Sequence, residues 1–256
     1  MIDPRAIVDP KAELADDVEV GPFSIIGPDV VIGAGTVVGP HAVIKGPTRI
    51  GRDNRIYQFS SVGDNPQDKK YSGERTFLEI GDRNIIREYV TIHRGTAQDQ
   101  GITAIGNDVL LMAYTHVAHD CRIGNNVILS NAASLGGHVK VDDWAILSGF
   151  ALVHQFCRIG AHAFLAMGSA VTKDVPPYVL VSGQPAEPYG INSEGLKRRG
   201  FADEAVQNIK RAYKVLYKSG LKLEEAQARI ADMAKDCEEI RLFTEFFADC
   251  RRSIVR

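Results

Sequence analysis

The sequence predicts a mainly β protein, a parallel β-helix of six-residue units followed by a C-terminal α-helical bundle. Three observations carry this. Aliphatic residues recur at every sixth position, glycine and small residues recur at fixed offsets beside them, and the pattern stops after Pro176-Pro177, where helical spacing takes over.

The aliphatic series runs Ile2, Val8, Leu14, Val20, Ile26, Ile32, Val38, Ile44, Ile50, Ile56, Val62. After an interruption the same register resumes at Ile80, Ile86, Ile92. A second interruption shifts it by one, and it continues from Ile105 through Leu111, Val117, Ile123, Leu129 and Leu135 to Val171. All 26 positions are Ile, Val or Leu, residues that make up only about a quarter of the chain. The next position is often glycine (Gly21, Gly27, Gly33, Gly81, Gly106, Gly124), and the fourth is small or β-branched (Ala12, Ser24, Thr36, Thr115, Ala133, Ala145). Six residues are too few for a strand–helix pair. They fit a short strand and a tight corner, with glycine expected to supply positive φ there. Such hexapeptides build a parallel β-helix, in which three units make one triangular coil of about 18 residues. The large aliphatic side chain fills the prism and the small one avoids overpacking. Coils stack about 4.8 Å apart, so nine of them make a prism on the order of 40 Å long. Cys121 and Cys157 both fall on the small inward position, two coils or about 10 Å apart. That separation is too large for a disulfide, so both read as buried structural thiols.

Two stretches break the repeat, 64–79 and 94–104. Insertions into a rigid solenoid are surface loops, and long ones often carry function. From Asn192 the chain reads as helix: Val206, Ile209, Ala212, Tyr213 and Leu216 recur at helical spacing before Ser219-Gly220, Leu223 opens a second helix, and Cys237, Ile240, Phe243, Phe246 and Cys250 stripe a third. The bundle is expected to cap the open end of the prism. The expected division is 1–190 for the β-helix, with inserted loops at 64–79 and 94–104, and 191–256 for the helical part.

Composition narrows the function classes. The formal net charge is −2 and hydrophobic residues make up 45%, which argues against a nucleic-acid-coating protein. No apolar run approaches the roughly 18 residues that span a bilayer, so no membrane insertion is expected. The Met1-Ile2-Asp3-Pro4 start lacks the marks of a secretory signal, and the four cysteines form no CxxC pair. A cytoplasmic, reduced protein is the expectation.

Four of seven histidines lie between 116 and 154: His116, His119, His138 and His154. Near-coil spacing places His119, His138 and His154 close to one edge, within a band on the order of 10 Å. His119 is followed by Asp120, and a carboxylate can fix an imidazole's tautomer and stabilise its cation, as a general base requires. Adjacent strand residues point to opposite faces, so the pair works only at a bent corner. Gly136-Gly137, before His138, can expose a backbone N–H as an oxyanion donor. No activated serine or cysteine stands out, which favours direct attack by a substrate hydroxyl over a covalent intermediate.

The strings NPQDKKYSGE (65–74), EIGDRNIIRE and VTIHRGT (within 79–96), AHDC (118–121), VHQFCRIGAH (153–162), DVPPYV (174–179) and NSEGLKRRGF (192–201) closely resemble the acyl-[acyl-carrier-protein]–UDP-N-acetylglucosamine O-acyltransferases that open lipid A biosynthesis. The resemblance covers essentially the whole chain and implies a left-handed prism. It makes His119 the general base for the glucosamine 3-hydroxyl of UDP-N-acetylglucosamine, with Asp120 orienting it. The donor is an (R)-3-hydroxyacyl thioester on acyl carrier protein, with no other cofactor and no metal, and the Gly137 N–H stabilises the oxyanion. It further places Gln67, Asp68, Lys70, His116, His138, His154 and Gln155 around sugar and acyl groups, and Asn192, Glu194, Arg198 and Arg199 near the nucleotide. Two arginines suit a diphosphate, and carboxylates and amides suit sugar hydroxyls. The family pattern is a homotrimer with sites between neighbouring prisms. It also makes Met167 the stop at the far end of the acyl groove. Because Met reaches about 4–5 Å further than Gly, a chain near ten carbons is expected, rather than fourteen.

Three other readings stay open at this level. An N-acyltransferase of the same type would carry an extra N-terminal domain, whereas here the repeat begins at Ile2. A zinc hydratase of the carbonic anhydrase type would bring His119, His138 and His154 together at a subunit interface. A non-catalytic solenoid scaffold would have no need of stacked histidines.

Overall fold

The computed structural model describes residues 1–250 and 252–256. Twenty-five short strands from Ile7–Val8 to Ala170–Val171, most of them two residues long, wind as a parallel β-helix. Each coil gives one strand to each of three sheets, and every third strand is a hydrogen-bonded neighbour. On the first face Ile7 pairs with Ile25 and Ile25 with Val43; on the second Glu13 pairs with Val31; on the third Glu19 pairs with Val37. Where Ser61 pairs with Thr91, and Thr91 with His116, the extra residues of the two insertions are looped out.

The predicted inward ladder forms the core. Ile26, Ile44, Ile86, Ile92, Leu111, Val117, Leu129 and Leu147 are essentially inaccessible, and so are the small residues beside them, Ser24, Thr36, Cys121, Ala133, Ala145 and Cys157. All four cysteines are free, and burial pushes the Cys121 thiol up to about 12. Such thiols behave as small apolar residues.

The corners differ from expectation in one respect. Apart from Gly63, the glycines that follow the aliphatic positions do not take positive φ; residues two places later do, including Asp29, Asp53, Asp108, Asp120, Asn126, His138 and Trp144. Glycine is required instead by close approach of the neighbouring coil. A Cβ on Gly21 would lie 2.8 Å from Pro40 N, and one on Gly33 would lie 2.8 Å from Gly51. A left-handed conformation costs a non-glycine residue about 1–2 kcal/mol, and stacking of like corners offsets it. Phe23, His41, Phe59, Tyr89 and Tyr114 stack ring on ring at 4.8–5.3 Å along one edge.

The insertions proper are 65–76 and 94–101, shorter than the breaks in the repeat. The strands Ser61–Asp64, Phe77–Ile80 and Ile102–Ile105 are four residues long and regain pairing early. Both loops leave the first face at the same corner. The first is anchored by buried Arg94, whose guanidinium donates to the carbonyls of Gly46 and Gly63 (2.8 and 2.7 Å), to Asn65 Oδ1 and to the Tyr71 hydroxyl.

Beyond the coils, Val179–Ser182 and Glu187–Ile191 make an antiparallel hairpin on the third sheet, which the repeat did not announce. Helices α1 (Ser193–Arg198), α2 (Asp203–Lys218), α3 (Leu223–Met233) and α4 (Arg241–Ala248) follow. They bury Leu196, Ile209, Leu216, Ile230, Phe243 and Phe246 around Tyr178 of the last corner, so the bundle closes onto the end of the prism. Cys237 and Cys250, read as part of a third helical stripe, lie just outside α4, and the Cys250 thiol donates to Asp174 Oδ2 at 3.2 Å. Among the described residues no helix is long and apolar enough to cross a membrane.

Candidate active site

The corner between the first and second faces carries the chemistry. Asp120, His138 and Phe156 occupy its positive-φ position in successive coils, and that bend lets His119 and Asp120 meet although they are adjacent. His119 Nδ1 lies 2.9 Å from Asp120 Oδ2. The carboxylate is almost fully buried and also accepts from Thr96: the backbone N–H at 3.0 Å to each oxygen and the hydroxyl at 2.7 Å to Oδ2. Thr103 Oγ1 lies 2.8 Å from the Asp120 backbone N–H and accepts from it. Burial alone would push the Asp120 carboxyl up, but the bonds from His119 and Thr96 outweigh it and hold the group below the usual carboxylate range. Asp120 therefore stays ionised beside the imidazole. With Nδ1 committed as donor, His119 Nε2 is the free basic atom.

His138 stands edge-on to His119, with ring centroids 5.0 Å apart, and stacks flat on Phe156 at 4.3 Å. Its Nδ1 lies 2.8 Å from Asp99 Oδ2 and 3.9 Å from Asp120 Oδ2. The corner thus holds two imidazole–carboxylate pairs side by side. Gly137 lies against the first: a Cβ there would be 2.6 Å from His119 Cε1 and 2.8 Å from Nε2. Its own N–H has no hydrogen-bond partner among the described residues. Gly137→Ala is therefore expected to push the His119 ring aside and lower turnover about tenfold or more in a protein that still folds. Steady-state kinetics alongside a thermal melt checks this, and an unchanged kcat would refute the close approach.

Clefts open on both sides of the pair. One, of about 620 Å³, is lined by Gln67, His116, His119, Gly137, His154 and Gln155, with Ser134, Leu152 and Ala170 as its floor on the first face. The other, of about 530 Å³, is lined by Asp68, Lys70, Thr96, Asp99, Asp120 and His138. The structure therefore brings together nine of the predicted residues around His119 and divides the first-loop residues between the two clefts. His116 bonds Thr91 Oγ1 at 2.7 Å, and burial, with His93 and His119 nearby, pulls its pKa down to about 4. It is a neutral lining residue. His154 Nδ1 donates to the Gln155 carbonyl at 3.0 Å.

The predicted nucleotide group lies on a different corner. Asn192 is buried and committed within the chain, capping α1 through Gly195 N (3.1 Å) and donating to the His162 carbonyl (3.0 Å). Glu194 and Arg198 form an exposed pair at 3.1 Å. Arg199 lies 3.0 Å from His162 Nδ1, donates to the Trp144 carbonyl and stacks over the Trp144 ring. Burial with that arginine beside it lowers His162 to about 4. Met167 projects into solvent, 77% exposed, at the corner on the opposite edge of the first face from His119. The one cluster of potential metal ligands among the described residues is His119, Asp120 and His138, and His154 is not part of it.

Sequence reading missed Thr96, Asp99 and Thr103 at the base, and His93 in the lining. His93 Nδ1 donates to the Asn65 carbonyl, and its ring stands edge-on to His116. The signal available was the 94–104 break itself, recognised as an insertion but given no contacts.

A family model for bacterial hexapeptide transferases, six repeats long, matches residues 11–46 and 103–137, and a model described as UDP-N-acetylglucosamine O-acyltransferase, domain 2, matches 174–255. Proteins named acyl-[acyl-carrier-protein]–UDP-N-acetylglucosamine O-acyltransferase from Stutzerimonas stutzeri and Thiobacillus denitrificans are 59% and 56% identical, each aligned over all of this chain and 99% of its own length. The crystal structure of the Francisella novicida UDP-N-acetylglucosamine acyltransferase superposes with a TM-score of 0.98 at 47% identity, covering all of this chain and 94% of that one. The Arabidopsis enzyme superposes with 0.85 at 34% identity, covering both chains fully. On these matches, spanning prism, loops and helices alike, the chain belongs to the acyl-[acyl-carrier-protein]–UDP-N-acetylglucosamine O-acyltransferase family.

Proposed function

We propose that the protein transfers an (R)-3-hydroxyacyl chain from acyl carrier protein to the glucosamine 3-hydroxyl of UDP-N-acetylglucosamine, the first step of lipid A biosynthesis. The observation that carries the reading is the His119–Asp120 pair, tautomer fixed, ionised carboxylate behind it and Nε2 free beside Gly137. His119 Nε2 takes the hydroxyl proton as the oxygen bonds to the thioester carbonyl carbon. The Gly137 N–H receives the oxyanion. Collapse breaks the C–S bond, and the imidazolium returns the proton to the leaving thiolate. No covalent enzyme intermediate and no cofactor beyond the carrier thioester are required.

Gln67, Asp68, Lys70, His138, His154 and Gln155 surround the reacting groups in this reading, and Glu194, Arg198 and Arg199 serve the nucleotide, with Asn192 holding the helix that bears them. Clefts open on both flanks of the corner support a homotrimer in which a neighbouring prism completes each site. A reduced cytoplasmic setting suits free Cys121 and Cys157 and the carrier-protein donor.

The test is transfer from (R)-3-hydroxyacyl carrier proteins of eight to sixteen carbons to UDP-N-acetylglucosamine, read by mass spectrometry. A monoacylated sugar nucleotide peaking near ten carbons is expected. No product with any chain, or product only with a 3-amino sugar, would overturn the assignment.

A further inference from the structure

We propose that the 94–101 insertion is a shared clamp for both imidazole–carboxylate pairs, with Thr96 and Asp99 as positioning residues for His119 and His138. The inference rests on His119 as the base. Among the described residues, three of the four hydrogen bonds to the Asp120 carboxylate come from Thr96, two from its backbone N–H and one from its hydroxyl, and Thr96 is 1% exposed. Three residues further on, Asp99 reaches the neighbouring imidazole at 2.8 Å. One short loop therefore sets the orientation of both rings.

The loop is built to hold that shape. Its ends cross so closely that a Cβ on Gly95 would collide with the backbone of Gly101 and Ile102. The Thr96 carbonyl accepts from both Asp99 N (3.3 Å) and Gly101 N (3.1 Å), which ties the two positioning residues into one turn, and Gly101 closes it at φ +72°. Gly95 N donates to the Phe77 carbonyl at 3.1 Å, fixing the turn to the second face. A loop serving only to connect strands would need none of these bonds to the corner. Without the Thr96 hydroxyl the carboxylate keeps its charge and its two bonds from the Thr96 backbone N–H, but Oδ2, the oxygen that holds His119, loses its shortest bond, so the His119 ring samples orientations in which Nε2 is turned from the acceptor hydroxyl. Binding is unaffected by such motion, whereas the proton-transfer step is not.

The experiment compares Thr96→Val, Thr96→Ser and Asp99→Ala with the parent, reading kcat and KM for the sugar nucleotide, and the His Nδ1 protons by NMR. His119→Ala serves as the reference for the base. Thr96→Val is expected to lower kcat about tenfold with little change in KM, and to broaden or shift the His119 Nδ1 proton signal; Thr96→Ser is expected to restore both. Asp99→Ala is expected to move the His138 signal and leave that of His119 in place. If His119→Ala is nearly inactive while Thr96→Val has parental kcat and an unmoved signal, the clamp is refuted and the base stands. If His119→Ala retains turnover, the reading beneath the clamp falls instead. A Thr96→Val protein that does not fold while Thr96→Ser restores neither kcat nor signal also refutes it.

Discussion

Replacing His119 by alanine is expected to lower turnover at least a hundredfold, on the order of 10²–10⁴ for loss of a positioned general base, in a protein that folds normally. The structural half of that expectation follows from where the residue sits. His119 is on a corner, its side chain is partly exposed, and it fills none of the prism's aliphatic core. Asp120 would keep its three bonds from Thr96, so the buried carboxylate is not stranded. The kinetic half follows from chemistry. Among the described residues no other group combines a bonded carboxylate on Nδ1 with an Nε2 beside the unpartnered Gly137 N–H. His138 has the carboxylate partner but stands edge-on behind the first ring, and His116 is held neutral against Thr91. Rate, melting temperature and oligomeric state measured on the same sample check the claim. Near-parental turnover would refute the role of His119 and, with it, the direction of proton flow.

That the fold was legible and part of the site was not has a physical reason. A six-residue repeat imposes the same environment on every sixth residue, so Ile26, Leu111 and Leu147 each announce an inward position without knowledge of the rest. The glycines were read as conformational when they are steric, because a single unit does not reveal that Gly33 faces Gly51 of the next coil. His119 and Asp120 were visible because they are neighbours in sequence. Thr96 and Asp99 reach their partners across 24 and 39 residues, from a loop with no periodicity to place it. Asn192 shows a further role that the motif does not reveal: it caps α1 through Gly195 N and donates to the His162 carbonyl. Motif strings mark where a site lies; they do not separate the residues that touch substrate from those that hold them in place.

Met167→Gly is expected to move the preferred acyl chain from near ten carbons toward fourteen. The first face supplies a floor for such a chain: His116 pairs with Ser134, Ser134 with Leu152 and Leu152 with Ala170, so the outward row climbs three coils from the base, about 14 Å. Met167 stands at the far corner of the coil that carries Ala170, exposed and free to lie across the end of that row. In the proposed reading its side chain folds across the row and takes up about 4–5 Å, leaving roughly 10 Å, close to the extension of a ten-carbon chain at about 1.25 Å per bond. A fourteen-carbon chain extends about 5 Å further, which matches the length that removing the thioether would free. Each methylene admitted is worth about 0.8 kcal/mol, so three or four of them should change the fourteen-to-ten ratio of kcat/KM by about a hundredfold. Met167→Ala should fall between. Because the side chain is exposed and outside the core, the substitution should leave the melting temperature nearly unchanged, which separates a length stop from a packing residue. An unaltered chain-length profile in a folded Met167→Gly protein would show that the groove ends elsewhere.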